Sequence, residues 1–389
     1  MKMMTAMYTM KRGGSYDRFI MMLEAFLERS WEVHCLSLTP IQVENLCFHN
    51  HILFYPFRNK EGSIAKLMVL FFFPLWSLWI GWRNKIDLII VFGSLYAFLL
   101  SFSKCMLQRP MVTFIRGSYS FGLRMQNSST GFLLVNKIIE YYGLLSSDKV
   151  ITNNSAVRDE ILRSLKKRRN IDVQVLYNNI PPMTIQEKQD ILRTRNRYGI
   201  PENAKVLVTA GILNRGKNVE SLIRCLPQIG MENIYLLVVG AGFTEADFRY
   251  KDSLQVLVKE LGVEKEVIFT GCLKKDELDK IYGASDLFIL PSLDEGMPNA
   301  MLEALGTGLP CMGSDIPGIR DILQQGELLF DPWDEKDLTV RVQRFFSEGP
   351  FFEKVKSLCQ EKEKVFEFDW KDRIFQMATK GWDCVPNKS

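Results

Sequence analysis

Short apolar runs of strand length alternate with helix-like stretches along the whole chain, and this alternation narrows the possible folds more than any other feature. In the first part, Thr5–Met10, Glu32–Leu38, Ile86–Phe92, Pro110–Ile115, Lys149–Thr152 and Val173–Tyr177 read as strands. An amphipathic stretch over Tyr16–Arg29 and the segment SLYAFLLSFSKCML (residues 94–107) read as helices between them. The second part repeats the pattern with strands at Lys205–Ala210, Ile234–Val239, Val267–Thr270, Leu287–Leu290 and Leu309–Met312. Strands that alternate with helices imply parallel sheets covered on both faces, so two such series imply an α/β chain with two doubly wound domains. The 389 residues suffice for two domains with separate cores, and 47% hydrophobic against 24% charged residues excludes wholesale disorder. Consecutive prolines in YNNIPP (177–182) place the division there. The expected domains are residues 1–180 and 181–365, with 366–389 a helical segment packing back on the first.

The densest cluster of chemically informative residues is LPSLDEGMPNAMLEALGTGLPCMGSDIPG, residues 290–318. Glu303 sits in a helical stretch that is apolar nearly all round, where a carboxylate is costly unless paired. Glu295 follows the strand DLFIL by a few residues and so belongs at the carboxyl rim of a parallel sheet, where ligands bind. Pro298 suits the first turn of the next helix and Gly308 its stop. Backbone N–H groups of Gly296, Met297 and Asn299 would face a ligand, and a helix N-terminus favours an anion. Glu303 tilts back toward that end, where it can accept hydrogen bonds from a vicinal diol such as a ribose. Glu295 can reach a sugar beyond the phosphates.

These residues resemble the family 4 (group 1) glycosyltransferases, whose mark is two glutamates in E-G-(F/M)-P-x-x-x-x-E-A-(M/L)-x-x-G-x-P. Here the match runs Glu295-Gly296-Met297-Pro298, Glu303-Ala304-Leu305 and Gly308-Leu309-Pro310. The resemblance implies a GT-B fold, two Rossmann-like domains facing across a cleft, and a retaining transfer from a nucleotide sugar. GILNRGKNVESLI (211–223) is similar to the family's phosphate-binding loop, with Lys217 at its lysine. Ile212 stands where the family has arginine, and Arg215 is the expected substitute cation. Arg215 and Lys217 would stabilise charge growing on the leaving phosphate without a metal. A solvated turn is the plain alternative for both. No Asp-x-Asp occurs in the chain, which argues against a metal-bridged diphosphate, and no metal is expected.

The resemblance extends less specifically elsewhere. Around Gly271 the backbone would lie near the nucleobase. Gly13-Gly14 matches a glycine turn that approaches the diphosphate. Arg116-Gly117 stands where many members carry His-Gly. An arginine is no base at neutral pH, so Arg116 would act electrostatically on donor or acceptor phosphate, with a structural salt bridge as the alternative. In family terms attack comes from the leaving-group face, and the phosphate helps to deprotonate the acceptor.

Charge is unevenly distributed. Residues 1–178 carry 22 Lys and Arg against 12 Asp and Glu, whereas the remainder carries 27 against 33. A basic front half points to an anionic surface or substrate, and no zinc spacing or RNA-recognition motif favours nucleic acid. Residues 64–82, IAKLMVLFFFPLWSLWIGW, hold one charge, Lys66, and the uncharged run is shorter than the roughly 20 residues of a membrane span. Trp76, Trp79 and Trp82 recur at helical spacing, with Arg58, Lys60, Arg83 and Lys85 flanking. That suits a helix lying in the bilayer interface, with a buried helix covering the first sheet as the alternative. Eight scattered cysteines read as reduced thiols.

Together these features lead to one expected function. A retaining, metal-independent glycosyltransferase moves a sugar from a UDP- or GDP-sugar to a hydroxyl of a lipid-linked or cell-envelope glycan. It would be cytoplasmic and peripheral on the inner face of the membrane, with no further cofactor. A GT-B phosphorylase or epimerase, and a non-catalytic membrane-bound subunit assisting a partner transferase, are the alternatives.

Overall fold

A computed structural model describes residues 1–7, 14–53, 63–116, 130–165, 171–184 and 186–382. Gly13, Arg58, Lys60, Gly117 and Cys384 lie outside them. The chain divides into two units, Met1–Tyr177 together with Asp369–Ser389, and Asn178–Phe368.

The first unit is built on a parallel sheet of β1 (Lys2–Met7), β2 (Glu32–Ser37), β3 (Phe48–Ile52), β4 (Leu88–Phe92), β5 (Met111–Ile115), β6 (Lys149–Thr152) and β7 (Asp172–Val175). Their order across the sheet is β3-β2-β1-β4-β5-β6-β7. Side chains alternate along each strand, so Ile89 and Val91 face one way and Phe92 the other. The first face packs with Met4, Ala6 and Leu36 against Phe73, Ile80, Leu99 and Leu100, from the helices Ser63–Asn84 and Ser94–Leu107. On the other face Phe92 meets Phe19 of the helix Gly14–Leu27, and Phe114 meets Trp370 at 6.0 Å. Full burial of each such side chain contributes roughly 1.5–3 kcal/mol.

The last helix, Trp370–Thr379, completes that second face. Asp369 caps its N-terminus by accepting from the Asp372 N–H. Its side chains then reach the first helix and the residues just after it in three ways. Arg29 pairs with Asp372 at 2.8 Å, Lys371 pairs with Glu24 and Glu28, and Phe375 packs on Phe26 and Trp31. The buried Lys149 ammonium donates to the Met377 and Lys380 carbonyls at the helix C-terminus, at 2.7 and 2.9 Å. Cations are favoured at that end of a helix.

The second unit holds β8 (Lys205–Ala210), β9 (Ile234–Val239), β10 (Val267–Gly271), β11 (Leu287–Leu290), β12 (Cys311–Ser314) and β13 (Leu329–Phe330), all parallel. Their order is β10-β9-β8-β11-β12-β13. Strand order therefore reverses between β8 and β11, and loops leaving their carboxyl ends diverge to opposite faces. Such a switch point is where open α/β sheets bind ligands.

Several elements differ from the sequence reading. The first strand begins earlier than Thr5, because Met3 and Met4 are fully buried and the Lys2 N–H is held by the Asp87 carboxylate at 2.9 Å. β3 is an unexpected strand, since FHNHI lacks apolar alternation and only its pairing with β2 reveals it. The strand expected at Leu309–Met312 lies two residues later. Gly308 at φ 76° and Pro310, which has no N–H for a ladder, still belong to the turn. Residues 366–382 do not form one helix. The long helix Gly349–Phe366 ends there, and a separate helix starts at Trp370.

Trp370→Ala should lower the stability of the first unit by roughly 3–5 kcal/mol, the usual effect of emptying a buried aromatic site. Urea unfolding followed by circular dichroism checks this, and a midpoint unchanged from the parent would show that the last helix does not depend on Trp370.

Candidate functional site

Both arms of the switch point in the second unit bear a charged side chain. β8 leads through Gly211 into a 3-10 turn, Arg215–Lys217, ahead of the helix Val219–Ile229. β11 leads through Ser292 and Glu295 into the helix Asn299–Gly306. Lys217 Nζ forms an ion pair with Glu295 Oε1, and the Ser292 hydroxyl donates to the same oxygen at 2.8 Å. The two loops are also joined through the backbone, where the Leu293 N–H donates to the Gly216 carbonyl at 2.8 Å. Lys217 and Glu295 are mostly enclosed, with 22% and 12% of their side-chain surfaces exposed, so each charge depends on the other.

Glycines allow the strand ends to close this tightly. A Cβ on Gly240, at φ 130°, would overlap the Gly211 carbonyl, and one on Gly211 would press on the Lys217 stem. Gly271 ends β10 at φ 74°, and its carbonyl accepts the Gly240 N–H at 2.9 Å. Gly318 supports the motif from behind. A Cβ there would collide with the carbonyl oxygens of Glu295 and Gly296.

The stretch Gly296–Asn299 is held by a residue that sequence reasoning missed. Asn178, fully buried, donates from its amide to Met297 O at 3.3 Å and to Asn299 Oδ1 at 2.7 Å. Its backbone N–H points at Met297 Sδ, 2.9 Å away. An asparagine in the linker YNNIPP gives no local signal of this role. Ser292 was also missed, although its place three residues before Glu295 on the same loop was visible.

Pro298 caps the helix Asn299–Gly306 rather than occupying its first turn. The helix is not buried all round, because Asn299, Ala300, Glu303 and Gly306 form a partly exposed stripe. The residue beside Glu303 is Tyr282. Burial and the Glu303 carboxylate push the Tyr282 phenol well above its usual pKa, keeping a neutral O–H beside that carboxylate. Glu303 therefore has a protein neighbour as well as a partly open side, which corrects the expectation that only a ligand would accompany it.

The remaining expected residues are placed less tightly. Arg215 shares the turn with Lys217 but is exposed, and among the described residues it forms no ion pair. Ile212 is 43% exposed on the same loop. Gly14 and Arg116 belong to the first unit. Gly14 begins the helix after β1, and Arg116 follows the carboxyl end of β5. Burial pushes the Arg116 pKa down to about 10, with the Asp17 carboxylate acting against that shift, so the guanidinium remains charged at neutral pH.

An ammonium, a partly open carboxylate and the N-terminus of a helix around one strand switch point can bind an anionic ligand that also bears hydroxyls. Residues 190–364, within the second unit, match the model of the glycosyl transferases group 1. An uncharacterized glycosyltransferase of Methanocaldococcus jannaschii is 28% identical over 239 residues, 60% of this chain and 59% of that protein. The N-acetyl-alpha-D-glucosaminyl L-malate synthase of Bacillus anthracis is 30% identical over 194 residues, 50% of this chain and 48% of that protein. The chain thus spans about half the length of these relatives. The crystal structure of Anabaena Alr3699/HepE in complex with UDP superposes with a TM-score of 0.76 at 17% identity, covering 97% of this chain and all of that one. The fold is therefore GT-B.

Gly318→Ala should destabilise the second unit by roughly 1–3 kcal/mol through overpacking, because its collision is with backbone that cannot rotate away. Gly326→Ala, with open space around it, should stay within about 0.5 kcal/mol of the parent. Thermal unfolding of the two variants compares them, and equal midpoints would refute the supporting role of Gly318.

Proposed function

We propose that this chain transfers a glycosyl unit from a nucleoside-diphosphate sugar to a hydroxyl acceptor, with retention at the anomeric carbon. The observation that carries the reading is the meeting of Lys217 and Glu295 at the strand switch point inside the family-matched segment. In this reading the donor diphosphate displaces Glu295 from the Lys217 ammonium. Lys217 and the exposed Arg215 then neutralise charge that grows on the leaving phosphate, so no metal is required. The freed Glu295 binds hydroxyls of the transferred sugar, steadied by Ser292. Glu303 receives the ribose diol, and the N–H groups of Gly296–Asn299 face the anion. Gly271 lies beside the base. UDP is a natural donor nucleotide to try first, because Alr3699/HepE was crystallised with it.

We further propose an acceptor presented at an anionic membrane surface on the cytoplasmic side, a lipid-linked or envelope glycan. The helix Ser63–Asn84 carries an apolar stripe away from the core, with Phe71 66%, Trp79 48% and Trp82 72% exposed. Trp76, by contrast, packs on Phe73 at 5.6 Å and belongs to the core side. Exposed Leu95, Phe102 and Met106 on the neighbouring helix Ser94–Leu107 extend the apolar surface. Arg83 and Lys85 stand exposed at its end, as an interfacial helix on anionic lipid requires. Among the described residues no helix is long and apolar enough to cross a membrane.

Lys217→Ala should lower kcat by roughly 10²–10³-fold, the usual loss on removing one transition-state charge partner. Glu303→Ala should weaken donor binding in calorimetry, and an unchanged affinity would remove the ribose assignment. The product anomer, read by NMR, should match the donor anomer, and inversion would overturn the retaining chemistry. Adding Mg²⁺ or Mn²⁺ should leave kcat unaltered. Replacing Phe71, Trp79 and Trp82 with Ser should abolish flotation with anionic liposomes while nucleotide binding persists. Undiminished flotation would reject the membrane face.

A further inference from the structure

The chain contains 3 histidines, His34, His49 and His51, and the structure gathers all of them on one face of the first unit's sheet. β2 and β3 pair in a parallel register that sets His34 opposite His49 and Leu36 opposite His51. Because side chains alternate, Glu32 and His34 on β2 share a face with His49 and His51 on β3. Glu32 Oε1 lies 2.9 Å from His34 Nε2 and 3.4 Å from His49 Nε2. The ligand atoms of all three residues fall within 4.8 Å of one another. A tetrahedral zinc ion with bonds of about 2.0–2.1 Å needs ligand atoms about 3.3–3.4 Å apart, so small side-chain adjustments suffice.

We propose that Glu32, His34 and His49 bind a divalent transition-metal ion of the zinc class, through one carboxylate oxygen and two imidazole Nε2 atoms. Two imidazoles and one carboxylate suit zinc, copper or nickel better than magnesium or calcium. The surrounding groups already orient these ligands. His34 Nδ1 lies 2.9 Å from His51 Nε2, so an Nδ1–H donated there leaves the His34 Nε2 lone pair directed at the site. Metal-bound histidines commonly carry such an outer hydrogen bond. Lys2 Nζ binds the other Glu32 oxygen at 2.8 Å and so turns Oε1 toward the imidazoles. His34 is buried, and its ring stacks on His49 at 4.8 Å and on His51 at 5.2 Å. The His49 side chain is 43% exposed, which leaves an entry path and a fourth position for water.

The site stands apart from the proposed transfer chemistry. Glu32 opens β2 and His34 is its third residue, so the cluster sits toward the amino ends of the strands. Gly14 and Arg116 follow the carboxyl ends of theirs. Among the described residues β3 is the edge strand and hydrogen-bonds to β2 alone, so a metal shared between the two would fasten the sheet's edge.

Untagged full-length protein, stripped with a chelator and dialysed, should take up one Zn²⁺ per chain in calorimetry at neutral pH. Its melting temperature should rise with zinc, because the ion binds the folded state. Co²⁺ in place of zinc should give the visible absorption of a four-coordinate site. Glu32→Gln and His49→Gln should each weaken zinc binding at least about tenfold, and His51→Ala, outside the ligand set, roughly 10–100-fold. The surface position of His49 keeps its variant foldable, and circular dichroism of each variant confirms folding. Zinc uptake by His49→Gln equal to the parent's, or no uptake by the folded parent, would overturn the proposal.

Discussion

The carboxyl ends of β8 and β11 are neighbours, yet the chains leaving them turn to opposite faces of the sheet, and the second unit's chemistry depends on the gap this opens. Into that gap the fold brings Lys217 from one side and Glu295 from the other. Neither charge could remain so enclosed alone, because desolvating an unpaired ion costs several kcal/mol. The glycines at 211, 240 and 271 let three strand ends touch through their backbones. Gly318 and Asn178 fix the Glu295–Asn299 loop from behind and from below.

The first unit solves a different problem. Its sheet is covered on one face by the helices Gly14–Leu27 and Trp370–Thr379, the latter returning from the far end of the chain. The Lys149 ammonium and the Asp372 and Lys371 pairs hold that returning helix through polar contacts, while Trp370 and Phe375 supply apolar area. On the other face the helices Ser63–Asn84 and Ser94–Leu107 are more apolar than covering a sheet requires. They bury Phe73, Ile80 and Leu100 inward and still expose Phe71, Trp79 and Trp82 outward. The buried-helix reading of residues 64–82 holds for Phe73 and Ile80, which meet the sheet, while Phe71, Trp79 and Trp82 leave a second apolar side uncovered among the described residues.

The alternation of apolar runs and helical stretches was readable because parallel strands buried on both faces are continuous in hydrophobicity. Lys149–Thr152, Lys205–Ala210, Ile234–Val239 and Leu287–Leu290 stand where that pattern puts them. β3 escaped because an edge strand needs no apolar face, and His49-Asn50-His51 looks like a loop until β2 lies beside it. Glu295 was legible from the strand and the glycine and proline turn around it, and Lys217 only through the resemblance of its loop to a family motif. Asn178 was not, since 119 residues separate it from Met297 and a lone asparagine in a linker carries no periodicity. Tyr282 was hidden for the same reason, reaching Glu303 from a different helix. The three histidines were visible as Glu32-x-His34 and His49-x-His51, but spacing alone could not set the two pairs side by side.

By itself, then, the sequence determined two parallel α/β units, the rim position of Glu295, and an uncharged apolar run shorter than a membrane span. These follow from local periodicity and turn chemistry, which act over a few residues. Tertiary structure alone decided the remaining features. It set the strand order that makes β8 and β11 neighbours, the clamp from Asn178, the protein neighbour of Glu303, the outward face of the tryptophan helix and the gathering of the histidines. Each of these is a contact between segments far apart in the chain, and such contacts arise only when burial of the whole core selects one arrangement of its elements.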